Sequence, residues 1–163
     1  LGDRRPISTF EVNMSELPGA AWDPDTLTWW QKFPEALAHA TADPVAPRAA
    51  LQRLQSWLAT LPGRPVMVVY PSWDYMFVQW YLVNFLGKSP FGLAALDIKS
   101  QAFTRTKAAK GSSDPSFHAT SKRNMPSSWF EGDVPHTHRA VEDAVGQGVL
   151  FINLVNELQG KSR

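Results

Sequence analysis

Residues 66–70, Val-Met-Val-Val-Tyr, form an unbroken apolar run directly after the turn sequence Leu-Pro-Gly-Arg-Pro. Such a run suits a central strand buried on both faces, not one with a wet side. Residues 71–87 then read as a helix closed by Gly87, since glycine tolerates the left-handed helix end. A buried strand that feeds straight into a helix restricts the chain to layered packing of helices on a sheet.

The flanking segments fit that scheme. Residues 47–61 place Leu51, Leu54, Leu58 and Leu61 on one helical face, with charge opposite. Residues 23–33 open like a helix: Asp23 can cap it, Pro24 suits the first position and Asp25 favours the positive dipole end. Pro34 interrupts or kinks that helix, and a second short one follows over about 34–41. Residues 8–14 alternate weakly and predict a strand. Residues 96–107 predict a helix with Asp97 as its cap, and 108–135 a long polar loop. The last helix spans 138–159, with Val141, Ala144, Val145, Gly148, Ile152 and Val155 turned toward a sheet. Alternating strands and helices predict an α/β domain.

Composition narrows the class further. With 163 residues, 44% hydrophobic and 19% charged, the chain is expected to be a single globular domain over 1–163. Its net charge of +1 announces no basic field for nucleic acid, although a small cleft can still bind a strand locally. The absence of cysteine removes disulfides, thiolate zinc sites and a thiol nucleophile, and fits a reducing cytoplasm. The longest apolar stretch is too short to span a bilayer, so no membrane partner is expected.

Two features carry chemistry. His138 and Asp143 stand five residues apart, about 140° around a continuous helix. They converge only if His138 lies at or before the helix start. Asp143 can then hold a divalent metal, and His138 can take a proton from bound water. The alternative is a loop histidine beside an ordinary early-helix acid. Asp74 follows the buried strand directly, where ligands gather in open α/β sheets. Its alternative is a simple N-cap.

Together, "HRAVED" at 138–143 and "YPSWDYMF" at 70–77 resemble the last and middle motifs of the DEDDh group of 3′-5′ exonucleases. That group is the proofreading-exonuclease and ribonuclease T superfamily. The segments "DPDTLTWW", "SPFGLAALDIKSQA", "SKRNMP" and "HTHRAVEDAVGQGVLFINL" look like a bacterial and phage branch, and the resemblance covers roughly residues 8–157. It implies a ribonuclease H-like mixed sheet flanked by helices. It also implies hydrolysis at the 3′ end of single-stranded DNA or RNA, releasing nucleoside 5′-monophosphates. Two Mg²⁺ or Mn²⁺ ions about 4 Å apart would clamp the scissile phosphate. Asp74 and Asp143 would hold metal, with His138 as general base. Relatives of the group are often dimers, so a homodimer is a further expectation.

The group's first motif, Asp-x-Glu, is not found. Glu11 has Thr9 two residues before it, and its strand lies too near "DPDTLTWW" for the first-strand register. The sheet is therefore expected to lack its first strands, with the missing segment upstream of Leu1. Natural loss of those strands would leave a raw sheet edge.

Other residues have two readings each. Lys122 and Arg123 contact substrate phosphates or belong to a solvated loop. Trp73, Tyr75 and Phe77 stack on terminal bases or pack into the core. Trp29 and Trp30 read as core or subunit contacts, and His136 as structural or near the site. His39 and His118 read as surface residues. Beside the exonuclease stand a non-catalytic nucleic-acid-binding or adaptor module and, more weakly, an unrelated metal phosphohydrolase that would need other ligands.

Overall fold

A computed structural model of the chain describes residues 5–110, 120–132 and 137–160. His118 and His136 lie outside that range. The apolar run at 66–70 supplies a short strand, β1, Val68–Val69. It pairs in parallel with β2, Leu96–Asp97, with Val68 opposite Leu96 and Val69 opposite Asp97. Three helices precede the sheet: α1 Pro24–Trp30, α2 Pro34–Thr41 and α3 Pro47–Leu58. Helix α4, Trp73–Leu86, connects the two strands. After β2 come α5, Ile98–Lys110, two 3-10 turns at Lys122–Asn124 and Ser127–Phe130, and α6, Ala140–Leu158. The chain is thus helix-rich around a small parallel sheet, compatible with the α/β class.

Local chemistry explains most boundaries. The Thr26 N–H donates to the Asp23 side chain at 2.8 Å, and Pro24 fills the first helical position. Pro34 starts α2, so it ends one helix by opening the next. Gly87 adopts φ 76° and donates its N–H to the Val83 carbonyl at 2.9 Å, closing α4. The Ser100 N–H donates to Asp97 Oδ1 at 2.6 Å, so the last strand residue also caps α5.

Three expectations are corrected. Residues 8–13 do not form a regular strand; only Met14 makes a bridge, parallel to Val45, with Val45 N–H donating to the Asn13 carbonyl at 2.8 Å. Weak alternation specifies a strand only where a neighbouring strand offers a ladder, and none lies beside these residues among those described. The two described strands, β1 and β2, pair in parallel. Asp74 is not the N-cap of α4: Ser72 holds that position and Asp74 lies inside the first turn. The predicted loop at 108–135 is partly ordered core, because Met125 and Trp129 turn inward from the 3-10 turns.

That core joins Ile98 and Ala102 of α5, Met125 and Trp129 of the turns, and Leu150 and Leu154 of α6. Val68 and Tyr70 pack against it from the β1 side. The buried face of α6 is Val149, Leu150, Asn153 and Leu154. The face predicted to meet a sheet behaves differently. Val141, Ala144, Val145, Gly148 and Ile152 line an apolar cavity of about 240 Å³ with Phe10 and Trp57.

Asn153 is the polar member of the buried face. Its Nδ2 donates to the Trp129 carbonyl at 2.8 Å and to the Glu131 carbonyl at 3.0 Å, tying the 120–132 segment to α6. Trp129 Nε1 donates to Glu157 at 2.5 Å, and Arg105 pairs with the same carboxylate at 2.9 Å. Asn153→Leu keeps the bulk but strands the buried Trp129 carbonyl. It is expected to cost about 1–3 kcal/mol in urea unfolding, whereas Arg105→Ala, at the exposed end of the network, should cost less than about 1 kcal/mol.

Candidate active site

The cleft that holds the predicted chemistry has a volume of about 550 Å³. Its floor is Met67, Val68 and Val69 from the β1 region. Residues 11–13 and α2 form one wall. The first turns of α4 and α6 bring Asp74, His138 and Asp143 to the same cavity. Asp74 and Asp143, 69 residues apart along the chain (143 − 74), are therefore neighbours in space.

The α6 start explains how His138 and Asp143 converge. Arg139 is the N-cap and Ala140 the first helical residue, so His138 precedes the helix. The Asp143 N–H donates to the Arg139 carbonyl at 3.0 Å, placing Asp143 one turn in. Outside the helix His138 escapes its angular period. Its backbone adopts φ 63°, a left-handed conformation costly for a residue with a Cβ. Glu142, in the same first turn, accepts a short hydrogen bond from the Thr137 hydroxyl. It lies 3.8 Å from Arg139.

Electrostatics link the carboxylates. Asp74 is exposed as a residue, yet partial desolvation pushes its carboxyl above the ordinary aspartate value. The positive charge of Lys122 pulls the value back, and the like charge of Asp143 raises it further. Oxygen donors that repel one another across a cleft suit a hard divalent cation. Among the described residues, however, no group of three or more His, Cys, Asp or Glu side chains is arranged to hold a metal ion. The pair fits part of a metal donor set, not a complete one.

Other predicted residues fall at varying distances. Lys122 sits beside the cleft, with Nζ 5.2 Å from the centre of the Tyr70 ring, close enough for its charge to act on Asp74. It is half-buried in a 3-10 turn, not free in a solvated loop. Arg123, next to it, is exposed and does not line the cleft. Phe77 also lies off the cleft, beside a 160 Å³ apolar pocket with Phe10, Leu54 and Tyr81. It belongs to an exposed apolar stripe on α4 with Trp73, Met76, Trp80 and Val83.

Three polar residues escaped sequence reasoning. His39, expected on the surface, lines the cleft together with Glu11 and Arg139. His39 Nε2 lies 3.1 Å from Glu11, and Arg139 Nη2 lies 3.3 Å from the His39 ring. Arg139 was visible inside the "HRAVED" motif. Glu11, set aside from the first acidic motif on register, lines the cleft all the same; His39 had no signal, because its place depends on how α2 packs against residues 11–13.

No family model matches the chain. It is similar to the 3'-5' DNA exonuclease Cap18 of Escherichia coli, with 30% identity over 125 residues. The matched stretch is 74% of this chain and 62% of that relative, so the chain spans somewhat under two thirds of the relative's length.

The raised Asp74 carboxyl has a sign that can be checked. The folded state holds that proton more tightly than the unfolded one. Stability therefore falls as pH rises from the ordinary aspartate value through the raised one. In chelator-containing buffer at pH 7, Asp74→Asn is expected to raise Tm by about 1–2 °C. Thermal scans should show the gain vanishing as pH drops below the ordinary aspartate range, where both proteins carry a neutral group.

Proposed function

We propose that the chain forms the core of a metal-dependent 3′-5′ exonuclease of the DEDDh group, built on a ribonuclease H-like fold. The observation that carries the proposal is the convergence of Asp74, from the start of α4, with His138 and Asp143, from the start of α6, on one cleft. The similarity to a 3'-5' DNA exonuclease supports the same reading. The substrate is the 3′ end of single-stranded DNA or RNA, and the product a nucleoside 5′-monophosphate.

In this reading each residue has a distinct task. His138 accepts the proton of the attacking water at its ring nitrogen, since imidazole is well matched to proton transfer near neutral pH. Asp74 and Asp143 would contribute oxygen donors toward two Mg²⁺ or Mn²⁺ ions. When bound, such ions polarise the phosphate and lower the cost of the developing charge. Lys122 neutralises phosphate oxygens at the rim, with Arg123 further out along the strand. Phe77 stacks on a base beyond the cleft. The α4 stripe beyond Phe77, at Trp80 and Val83, is the surface on which a second copy would pack as a homodimer.

The test is shortening of a 5′-labelled single-stranded oligonucleotide from its 3′ end by the full-length protein in Mg²⁺, abolished by chelator. His138→Ala should lower turnover by about 10²–10⁴-fold while leaving the thermal transition in place. Unchanged turnover would remove His138 from the mechanism, and full-length protein inert on DNA and RNA alike would sink the proposal.

A second reading, a non-catalytic nucleic-acid-binding or adaptor module, draws on the incomplete donor set among the described residues. Calorimetric titration of full-length protein with Mn²⁺ separates the two. Saturable binding at two sites favours the enzyme; no binding favours the module.

A further inference from the structure

The short helix α1 poses a problem of purpose. None of its described residues is buried, and Trp29 keeps 41% of its surface exposed. A helix this short is marginal without tertiary packing, and this one gives nothing to the main core. Its ring contacts point elsewhere. The Trp29 ring meets the His138 imidazole edge-on, with centroids 5.1 Å apart and planes at 86°. Phe33, at the corner where α2 begins, lies 4.0 Å from the same imidazole at 46°. Trp29 and Phe33 also touch each other, at 5.0 Å. Two aromatic rings that support one another thus flank a third, 109 and 105 residues further along the chain (138 − 29 and 138 − 33).

We propose that the α1–α2 corner is a clamp in which Trp29 and Phe33 are positioning residues for His138. The inference rests on the reading of His138 as general base. It adds what holds that base in place. His138 sits outside α6 with a left-handed backbone, so helical geometry does not orient its ring. A side chain in a sparsely populated backbone region persists only where its surroundings over-determine it. The two rings supply that surrounding from two directions and restrict rotation about the Cβ–Cγ bond. Proton transfer depends on the angle between the ring nitrogen and the water, so fixing the ring acts on turnover more than on binding. Trp29 and Phe33 need not touch substrate for this role.

The experiment uses full-length protein, a single-stranded oligonucleotide and Mg²⁺, with the variants Trp29→Leu, Phe33→Leu and Phe33→Tyr. Each leucine variant is expected to lower kcat by about 10–10²-fold, with KM changed by less than about threefold. Phe33→Tyr, which restores the ring face, should return kcat to within about threefold of wild type. A second readout does not depend on catalysis. In the carbon-correlated NMR spectrum, the His138 ring protons, assigned by their loss in His138→Gln, should carry ring-current shifts that change in each leucine variant as one of the two flanking rings is removed. Should Phe33→Leu fail to fold, Trp29→Leu carries the test, because its helix contributes no buried residue. Leucine variants with wild-type kcat and unmoved His138 ring protons would overturn the clamp. If His138→Ala retains full turnover, the general-base reading fails, and the ring shifts alone decide whether the corner holds the imidazole.

Discussion

The roll of α6 about its own axis is the constraint on which the rest depends. Leu150 and Leu154 are buried between α5 and the 3-10 turns, and Asn153 is tied to two carbonyls of that segment. Asp143, Gln147, Leu150 and Leu154 follow the i, i+4, i+7, i+11 spacing of one helical stripe. The stripe is core at its C-terminal end and cleft at its N-terminal end, where Asp143 and Gln147 line the cavity. Packing two turns away therefore aims the carboxylate. Rotating α6 by one residue would turn Asp143 off the cleft and expose Leu150, so the hydrophobic penalty for losing the core also guards the site.

Much of this was legible in the residues. Asp23, Asp97 and Gly87 marked helix ends because capping is local chemistry, settled within four residues. The run at 66–70 marked the strand under the cleft, although only Val68–Val69 is regular and Val66 stays exposed rather than buried, and "HRAVED" marked a histidine just outside a helix. The failures share a cause: each depended on a partner distant in sequence. Weak alternation at 8–14 did not reveal whether another strand would pair with it. Polar composition at 108–135 hid Trp129, whose burial depends on Asn153 and Glu157 of α6. The stripe from Val141 to Ile152 has helical spacing, but spacing does not say which neighbour it meets. It meets residues 5–10 and Trp57 across a cavity, while the true core face lies one residue round at Val149, Leu150 and Leu154. His39 gave no signal at all, since a lone histidine in a polar helix looks the same on a surface and on a cleft wall.

The cleft concentrates costs that the rest of the described fold avoids. Asp74 is partly desolvated and repelled by Asp143, and His138 holds a backbone conformation that glycine would take more easily. Elsewhere the positive-φ positions are glycines, with Asp43 the other exception among the described residues. Structural ion pairs can perturb a carboxylate on their own. Strain and like-charge repulsion together on one cavity are harder to attribute to folding, because each lowers stability and neither completes the core. They make sense as features kept for what the cavity does.

The charge balance of the wall narrows what that can be. Glu11, Asp74 and Asp143 stand against Arg139 and the nearby Lys122, so the cleft is ringed by both signs. A site that bound phosphate by protein charge alone would be lined by cations. Here the order is three carboxylates and one arginine on the cavity with the lysine at its edge, so acidic groups outnumber cations on the wall. The net charge of +1 agrees with a wall of that balance, since no basic field surrounds it. The same order explains why Asp74 can tolerate Asp143 as a neighbour. In the proposed reading, repulsion that is a liability in the bare protein would become affinity for a divalent ion, and the stability lost at the cleft would be recovered on binding by mass action.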